Sequence, residues 1–306
     1  MTGSAWMSVL PPESLAVLAA ATWAGASLFS ATASARMGAF AFTRWRMVFA
    51  ALLLGAIVLA TGGWRSLGWD ALGLLVLSGV IGIFVGDTAL FACMNRLGPR
   101  RAGILFATHA LFSALLAALF LGESITGWAL LGSAMLVSGV MAAIAFGKRE
   151  DEAHHWEATR GRLAVGILLG LLSALGQSVG TLILKPAMEG GLDPVAGSAV
   201  RMAAGFGSHA LLWLTGWQAT RVQQPLRWQD LAYTFASAAL ALALGMTLIL
   251  KALQHGSAGL VGMLSSVTPV ILLPLLWWRL GRRPAAGAWW GAALAVAGCA
   301  LILGRA

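Results

Sequence analysis

Few side chains in this sequence can do chemistry, and nearly all of them interrupt runs of apolar residues. Asp87, His109 and Arg201 are ionisable groups set within such runs. A carboxylate or an imidazole can carry a proton, and a guanidinium can hold an anion. A second set is polar without carrying charge. Trp23, Ser27, Ser30 and Ser34 recur at spacings of three and four, which puts them on one face of a helix. Ser173, Gln177, Thr181 and Lys185 recur at spacings of four and make a matching stripe later in the chain. Phe106, His109 and Ser113 share a further apolar run, and Met263, Ser266, Thr268 and Pro269 share another. The chemistry these residues suit is recognition. Hydroxyls, an amide and an imidazole would meet a ligand's polar head group, while Trp23, Phe106 and Met263 would hold its apolar part.

Polar side chains are costly in hydrocarbon, so they face other helices or a watery cavity. Helix-to-helix hydrogen bonding, worth about 0.6 kcal/mol per pair, is the competing reading for each serine. Gln177 carries an amide that needs several partners, which favours the cavity. Asp87 and His109 are the coupling candidates, with an ion pair between Asp87 and a nearby arginine as the rival reading. Arg201 and Pro269 are assigned to coupling or gating, since a proline within an apolar helix frees backbone carbonyls that need another partner.

Catalysis finds nothing to stand on. No Ser-His-Asp arrangement, HExxH or phosphate loop is present, so neither an enzyme nor a cofactor is expected. His154 and His155 are adjacent residues in a polar stretch and make a poor chelate, so no metal site is expected. Cys93 and Cys299 both lie in apolar runs and support no disulfide framework.

Membrane helices are the expected frame for these residues. Hydrophobic residues are 59% of the chain and charged residues 10%, far from soluble averages of roughly 45–50% and 25%. Ten apolar runs approach the length of a bilayer-spanning helix. They cover 14–35, 41–61, 71–94, 102–121, 126–146, 163–185, 195–216, 230–252, 257–278 and 286–303. A net charge of +9 would suggest nucleic acid in a soluble protein; here it reads as topology and lipid-headgroup contact, with no nucleic acid. Fifteen of the twenty Lys and Arg residues fall in or beside the connections after spans 1, 3, 5, 7 and 9. By the positive-inside rule those connections are cytoplasmic, both termini are outside, and 147–162 is a cytoplasmic linker. With no basic stretch before Arg36, a cleaved signal peptide is not expected. Lys185 and Lys251 are expected to snorkel outward, and Arg44 and Arg46 to anchor at the interface. Most tryptophans sit near span ends as an aromatic belt.

The chain also repeats itself. Five of the seven glycines in 86–139 recur 159 residues later: Gly86/Gly245, Gly103/Gly262, Gly122/Gly281, Gly132/Gly291 and Gly139/Gly298. Five spans per copy place the copies in opposite orientations, so Glu123 and its counterpart Arg282 lie on opposite sides and read as topology. Inverted repeats of this kind mark transporters, with a substrate site near mid-membrane between the halves. The expected fold is therefore all-α: a polytopic membrane protein of ten helices, two inverted five-helix repeats around a central cavity. The halves are 1–146 and 163–306.

The end of span 4, Leu119-Phe-Leu-Gly-Glu-Ser124, is followed by Trp128…Gly132…Gly139. Their echoes are Leu280-Gly281 and Trp289-Trp290-Gly291…Gly298, with Thr268-Pro269 inside span 9. This arrangement resembles the drug/metabolite transporter superfamily, in its ten-helix EamA-like branch, and is most similar to the YddG-type exporters of aromatic amino acids and related metabolites. The departures are Ala110, where the first copy would carry the proline, and Arg282, where the second would carry the glutamate. The resemblance implies export of small metabolites, aromatic amino acids foremost, across a bacterial-type inner membrane by alternating access. The partners implied are a small-molecule substrate and membrane lipid; oligomeric state is not readable. A multidrug exporter and a sugar-phosphate or nucleotide-sugar exchanger of the same superfamily are the alternatives, and an intramembrane enzyme is the alternative of another class.

Overall fold

The computed structural model describes residues 10–146, 161–280 and 285–303. Most of the expected linker, with His154 and His155, lies outside the described residues, as do Arg282 and Arg283. Within them the fold is entirely helical. The helices are α1 (Pro12–Met37), α2 (Ala39–Thr61), α3 (Trp69–Leu97), α4 in two pieces (Pro99–Ala107 and His109–Leu121), α5 (Gly127–Ala145), α6 (Leu163–Leu182), α7 (Pro194–Leu214), α8 (Trp228–Leu253), α9 in two pieces (Ala258–Ser265 and Thr268–Leu280) and α10 (Ala286–Leu303). Among the described residues, nine helices are long and apolar enough to cross a membrane. The tenth, α7, has 21 residues, and Arg201 and His209 lower its hydropathy.

Single glycines join consecutive helices. Gly38 between α1 and α2 and Gly98 between α3 and α4 both have φ +83°, a region that a Cβ disfavours. Pro99 then opens α4, where a missing N–H costs nothing. The outer surface is apolar: Leu52, Leu59, Leu119, Trp228 and Trp278 are all more than 60% exposed, as lipid-facing side chains should be. Cys93 and Cys299 are buried and unpaired.

The duplication is visible in backbone irregularities that hydropathy does not register. α3 carries a π-helical stretch at Gly79–Asp87, and α8 carries one at Ala238–Gly245, starting 159 residues later. The wider turn leaves room for neighbours. In the first stretch, a Cβ on Gly79 would lie 2.6 Å from the Arg201 carbonyl oxygen, and one on Gly82 would lie 3.3 Å from the Gly180 Cα. The repeat-matched glycines pack against each other. A Cβ on Gly139 of α5 would lie 2.7 Å from the Gly291 oxygen of α10, and one on Gly132 would lie 2.9 Å from the Gly298 oxygen. Each glycine thus meets the counterpart of the other, the pattern of two equivalent helices crossing about a pseudo-two-fold axis. Gly139→Leu should therefore cost about 3 kcal/mol through overpacking, read as a lower melting temperature in detergent; an unchanged melt would refute close α5–α10 contact.

Both α4 and α9 break. In α9 the pieces separate at Ser266 and Val267, just ahead of Pro269. In α4 they separate at Thr108, although Ala110 occupies the matching position. Proline is therefore not required for the break. A hydroxyl donates to a carbonyl at each break: Thr108 Oγ1 to Leu105 O at 2.6 Å, which also accepts from Thr108 N at 3.2 Å, and Thr268 Oγ1 to Ser265 O at 3.0 Å.

Candidate functional site

The α1 and α4 helices of the first repeat and the α6, α8 and α9 helices of the second converge on one internal cavity. Its wall holds Trp23 of α1, His109 and Ser113 of α4, Gln177 and Thr181 of α6, Ile249 of α8, and Val261, Gly262 and Ser265 of α9. About 10 Å³ is open to the centres of water molecules, room for roughly one water. A metabolite of amino-acid size does not fit until helices move apart. The wall is polar on the α4 and α6 sides and apolar on the α1 and α8 sides.

Each lining residue is held by its own element. Trp23 Nε1 donates to Ala241 O at 3.1 Å, in the π stretch of α8, and so ties α1 to the second repeat. Gly245 is needed beside it, because a Cβ there would lie 2.5 Å from Trp23 Nε1. Thr181 Oγ1 donates to Gln177 O at 2.8 Å, and Ser113 Oγ donates to Ser178 Oγ at 3.0 Å. Phe106 lies 5.0 Å, centroid to centroid, from the His109 ring. His109 is brought to the cavity by the α4 break, since it opens the second piece directly after Thr108.

Of the ten residues proposed to bind substrate, Trp23, His109, Gln177 and Thr181 line this cavity; the other six lie elsewhere in the bundle. Ser27 donates to Trp23 O at 2.8 Å along its own helix. Ser30 bonds to Ser237 Oγ at 2.8 Å, a link from α1 to α8. Ser266 donates to Met263 O at 2.7 Å, and Met263 packs in the main apolar core. Phe106 reaches the cavity through its contact with His109, and Thr268 serves the α9 break. Ser113, which shares a run with Phe106 and His109, also lines the wall, and Ser265, Ile249, Val261 and Gly262, which drew no site assignment from sequence, complete it.

Asp87 and the arginines form a second polar centre between α2, α3 and α7. Arg46 is buried and donates from Nη1 to Asp87 Oδ2 at 2.6 Å. Its guanidinium also lies 4.9 Å from the centroid of the Phe91 ring. Arg46 is thus an internal ion-pair partner, not an interface anchor, because α2 turns it inward between Phe42 and Phe91. Arg44, near the helix end, does face the periphery: it donates to Thr220 O at 3.0 Å and stands 5.5 Å over Trp213. Arg201 is fully buried, with Nη1 4.0 Å from Met246 Sδ. His209, which drew no assignment from sequence, bridges α2 and α3: its Nε2 lies 3.1 Å from both Thr43 Oγ1 and Thr88 Oγ1.

Polar latches hold the helices together at each end of the bundle. At the end where α1 meets α2, Arg36 Nε bonds both carboxylate oxygens of Asp230, at 3.1 and 3.2 Å, and Nη1 reaches Gln224 Oε1 at 2.7 Å. At the opposite end, Glu123 accepts from Ser257 Oγ at 2.5 Å, Ala258 N at 2.8 Å and Gly259 N at 3.0 Å. Glu123 therefore caps the first piece of α9, a helix of the other repeat, and does more than mark topology. Lys185 donates to Leu253 O and Gly256 O at 3.1 and 2.7 Å and pairs with Glu189 at 2.9 Å. It is 7% exposed and does not snorkel, since these partners hold it inside. Lys251 bonds Gln254 Oε1 at 2.7 Å.

A helical bundle of two like halves, apolar outside and holding a small polar cavity between the halves, defines a multi-pass membrane protein of the transporter class. Within that class the chain belongs to the EamA-like transporter family, whose model matches residues 10–145 and 164–304. The fold is also similar to that of a solved protein described only as "Crystal structure of protein", with a TM-score of 0.74, 19% identity and 95% of both chains covered. No curated protein matches the chain.

Proposed function

We propose that this transporter exports small metabolites with an apolar side group and a polar head group, aromatic amino acids foremost, by alternating access. One observation carries the reading: Trp23, His109, Gln177 and Thr181, from both repeats, converge on a single cavity enclosed by latched ends. The indole would hold an apolar ring, and the amide, hydroxyl and imidazole would meet the head group. Growth of the cavity from water size toward the several hundred Å³ of ordinary ligand sites requires one latch to open while the other holds. In this reading the halves 1–146 and 163–306 rock against each other. The linker 147–162 is cytoplasmic, both termini face the periplasm, and the Arg36–Asp230 latch closes the cytoplasmic side. His109 is the coupling candidate within the cavity, because the Asp87 carboxylate already holds Arg46.

Purified protein in liposomes, loaded with labelled phenylalanine, tests the reading. Saturable efflux of chemically unchanged amino acid is expected. Gln177→Ala should reduce it at least tenfold, since a buried head group would lose its partner. His109→Ala should remove any dependence of the flux on a pH gradient. Absence of saturable flux for every amino acid tried would sink the substrate assignment.

A further inference from the structure

The two repeats solve the same electrostatic problem differently. In the first, the Arg46 guanidinium is neutralised by Asp87 at 2.6 Å. Arg46-Met47 is echoed by Arg201-Met202, 155 residues on, and Asp87 by Met246, in the 159-residue register. A neighbouring pair confirms that these positions correspond. Thr43 lies 3.4 Å from Thr88, and their counterparts Ser198 and Thr247 are bonded at 3.2 Å. Arg201 therefore occupies the place of Arg46 but faces a methionine where the carboxylate would be. Thioether sulfur is a weak acceptor, and it stands 4.0 Å from Nη1. Arg201 is fully buried, and its Nε and Nη2 have no protein partner.

Two buried guanidiniums thus share one carboxylate, an excess of a single positive charge in a low-dielectric interior. Such a charge is stable only when it is paired. The backbone around it is cleared of side chains: a Cβ on Gly82 would lie 3.2 Å from Arg201 Nη2 and 3.4 Å from Gly176 O. The guanidinium faces Met246 of α8 and the site of Gly82, which packs on Gly176 and Gly180 of α6, so it stands next to two of the five helices that wall the cavity. Gly176 and Gly180 flank Gln177 and Thr181 on α6, and Met246 lies one turn before Ile249 on α8.

We infer that Arg201 is the receptor for a carboxylate on the substrate, which takes the place that Asp87 fills in the first repeat. The inference rests on the proposed function for the idea that a substrate enters here, and it adds which end of the substrate is recognised and by what. A monoanion matches the single excess charge, and a planar carboxylate matches the guanidinium fork. A phosphate dianion would leave one negative charge unpaired. Met246, a flexible side chain, would swing aside to admit it.

Thermal stabilisation of the full-length protein in detergent by 3-phenylpropionate, which has the carboxylate alone, and by phenethylamine, which has the amine alone, is the test. Phenylpropionate should stabilise the wild type and phenethylamine should not. Arg201→Gln should weaken the phenylpropionate response at least tenfold, and Arg201→Lys should restore part of it. Met246→Asp supplies the carboxylate from within the chain. It should melt at or above the wild-type temperature and no longer respond to phenylpropionate. Lack of a phenylpropionate response in the wild type, an equal response to phenethylamine, an undiminished response in Arg201→Gln or Met246→Asp, or a lowered melt in Met246→Asp would each overturn the assignment. Loss of amino-acid flux in liposomes alongside the expected carboxylate responses would overturn the proposed substrate and leave the Arg201 assignment standing.

Discussion

Asp87→Ala is expected to be among the most destabilising single substitutions in this protein. The carboxylate neutralises Arg46 at 2.6 Å, and Arg46 is 3% exposed, with its Nε already unpartnered. Removing one member of a buried pair leaves the other charge uncompensated, at about 3–5 kcal/mol. The effect should be larger than usual because Arg201 adds a second buried guanidinium and no other carboxylate accompanies it among the described residues. Melting temperature in detergent should fall sharply for Asp87→Ala. The double variant Asp87→Ala/Arg46→Met should recover more than half of the loss, since it removes both charges and keeps most of the volume. A single variant that melts with the wild type would show that the pair contributes no stability. A double variant no better than the single one would show that the carboxylate matters for something other than its arginine.

Glu123→Ala should act on conformation more than on folding. Its carboxylate takes three hydrogen bonds from Ser257, Ala258 and Gly259, all at the positive end of a helix that belongs to the other repeat. Hydrogen bonds to charged groups contribute about 1.5–3 kcal/mol each, and water replaces part of that when the cap is lost. A net loss of about 3 kcal/mol shifts the closed-to-open ratio at that end roughly a hundredfold. Ser265→Cys, placed in the cavity wall, provides the readout. Its labelling by a maleimide from the Glu123 side should speed up in Glu123→Ala, while the native Cys93 and Cys299, both buried, stay silent. Glu123→Gln should fall between, because an amide oxygen can still accept from the backbone. Labelling unchanged by either substitution would mean that the cap does not hold this end shut.

The two latches and the small cavity between them fit together mechanically. The Arg36–Asp230 latch joins α1 to α8, and the Glu123 latch joins α4 to α9, so each crosses between the repeats. Movement of one repeat against the other must therefore break one of them. Between the latches, the π stretches of α3 and α8 carry the glycines that let neighbouring helices come within van der Waals contact. π turns are often found at functional sites, because a widened turn re-aims side chains without breaking the helix. Here they set Asp87 against Arg46 and bring the α8 backbone to the Trp23 indole.

Membrane helices are legible in a sequence for a simple reason. Each must be apolar along its whole length and satisfy its own backbone, so composition over some twenty residues is enough. The ten spans and the duplication follow from residue types and spacing, whereas the contact of Gly132 and Gly139 with Gly298 and Gly291 is visible only in the packed helices. The inward stripe of Gln177 and Thr181 also follows from spacing, since helical periodicity places residues four apart on one face. What spacing cannot supply is which faces meet. Arg46 looks like an interface anchor until α2 is seen to turn it toward Asp87 of α3. Lys185 looks like a snorkelling lysine until the α8–α9 connection folds over it. Glu123 looks like a topological charge until α9 of the other repeat begins against it. These depend on contacts between residues 41, 68 and 135 positions apart in the chain. The α4 break belongs with them, because Thr108 lacks the proline that advertises the same break in α9. Residue types and their register make the chain a duplicated bundle of membrane helices with a few polar residues inside. Which charges are paired, and that Arg201 is left facing a methionine, follows from how the helices pack. Periodicity is a property of one helix, and electrostatic pairing is a property of two.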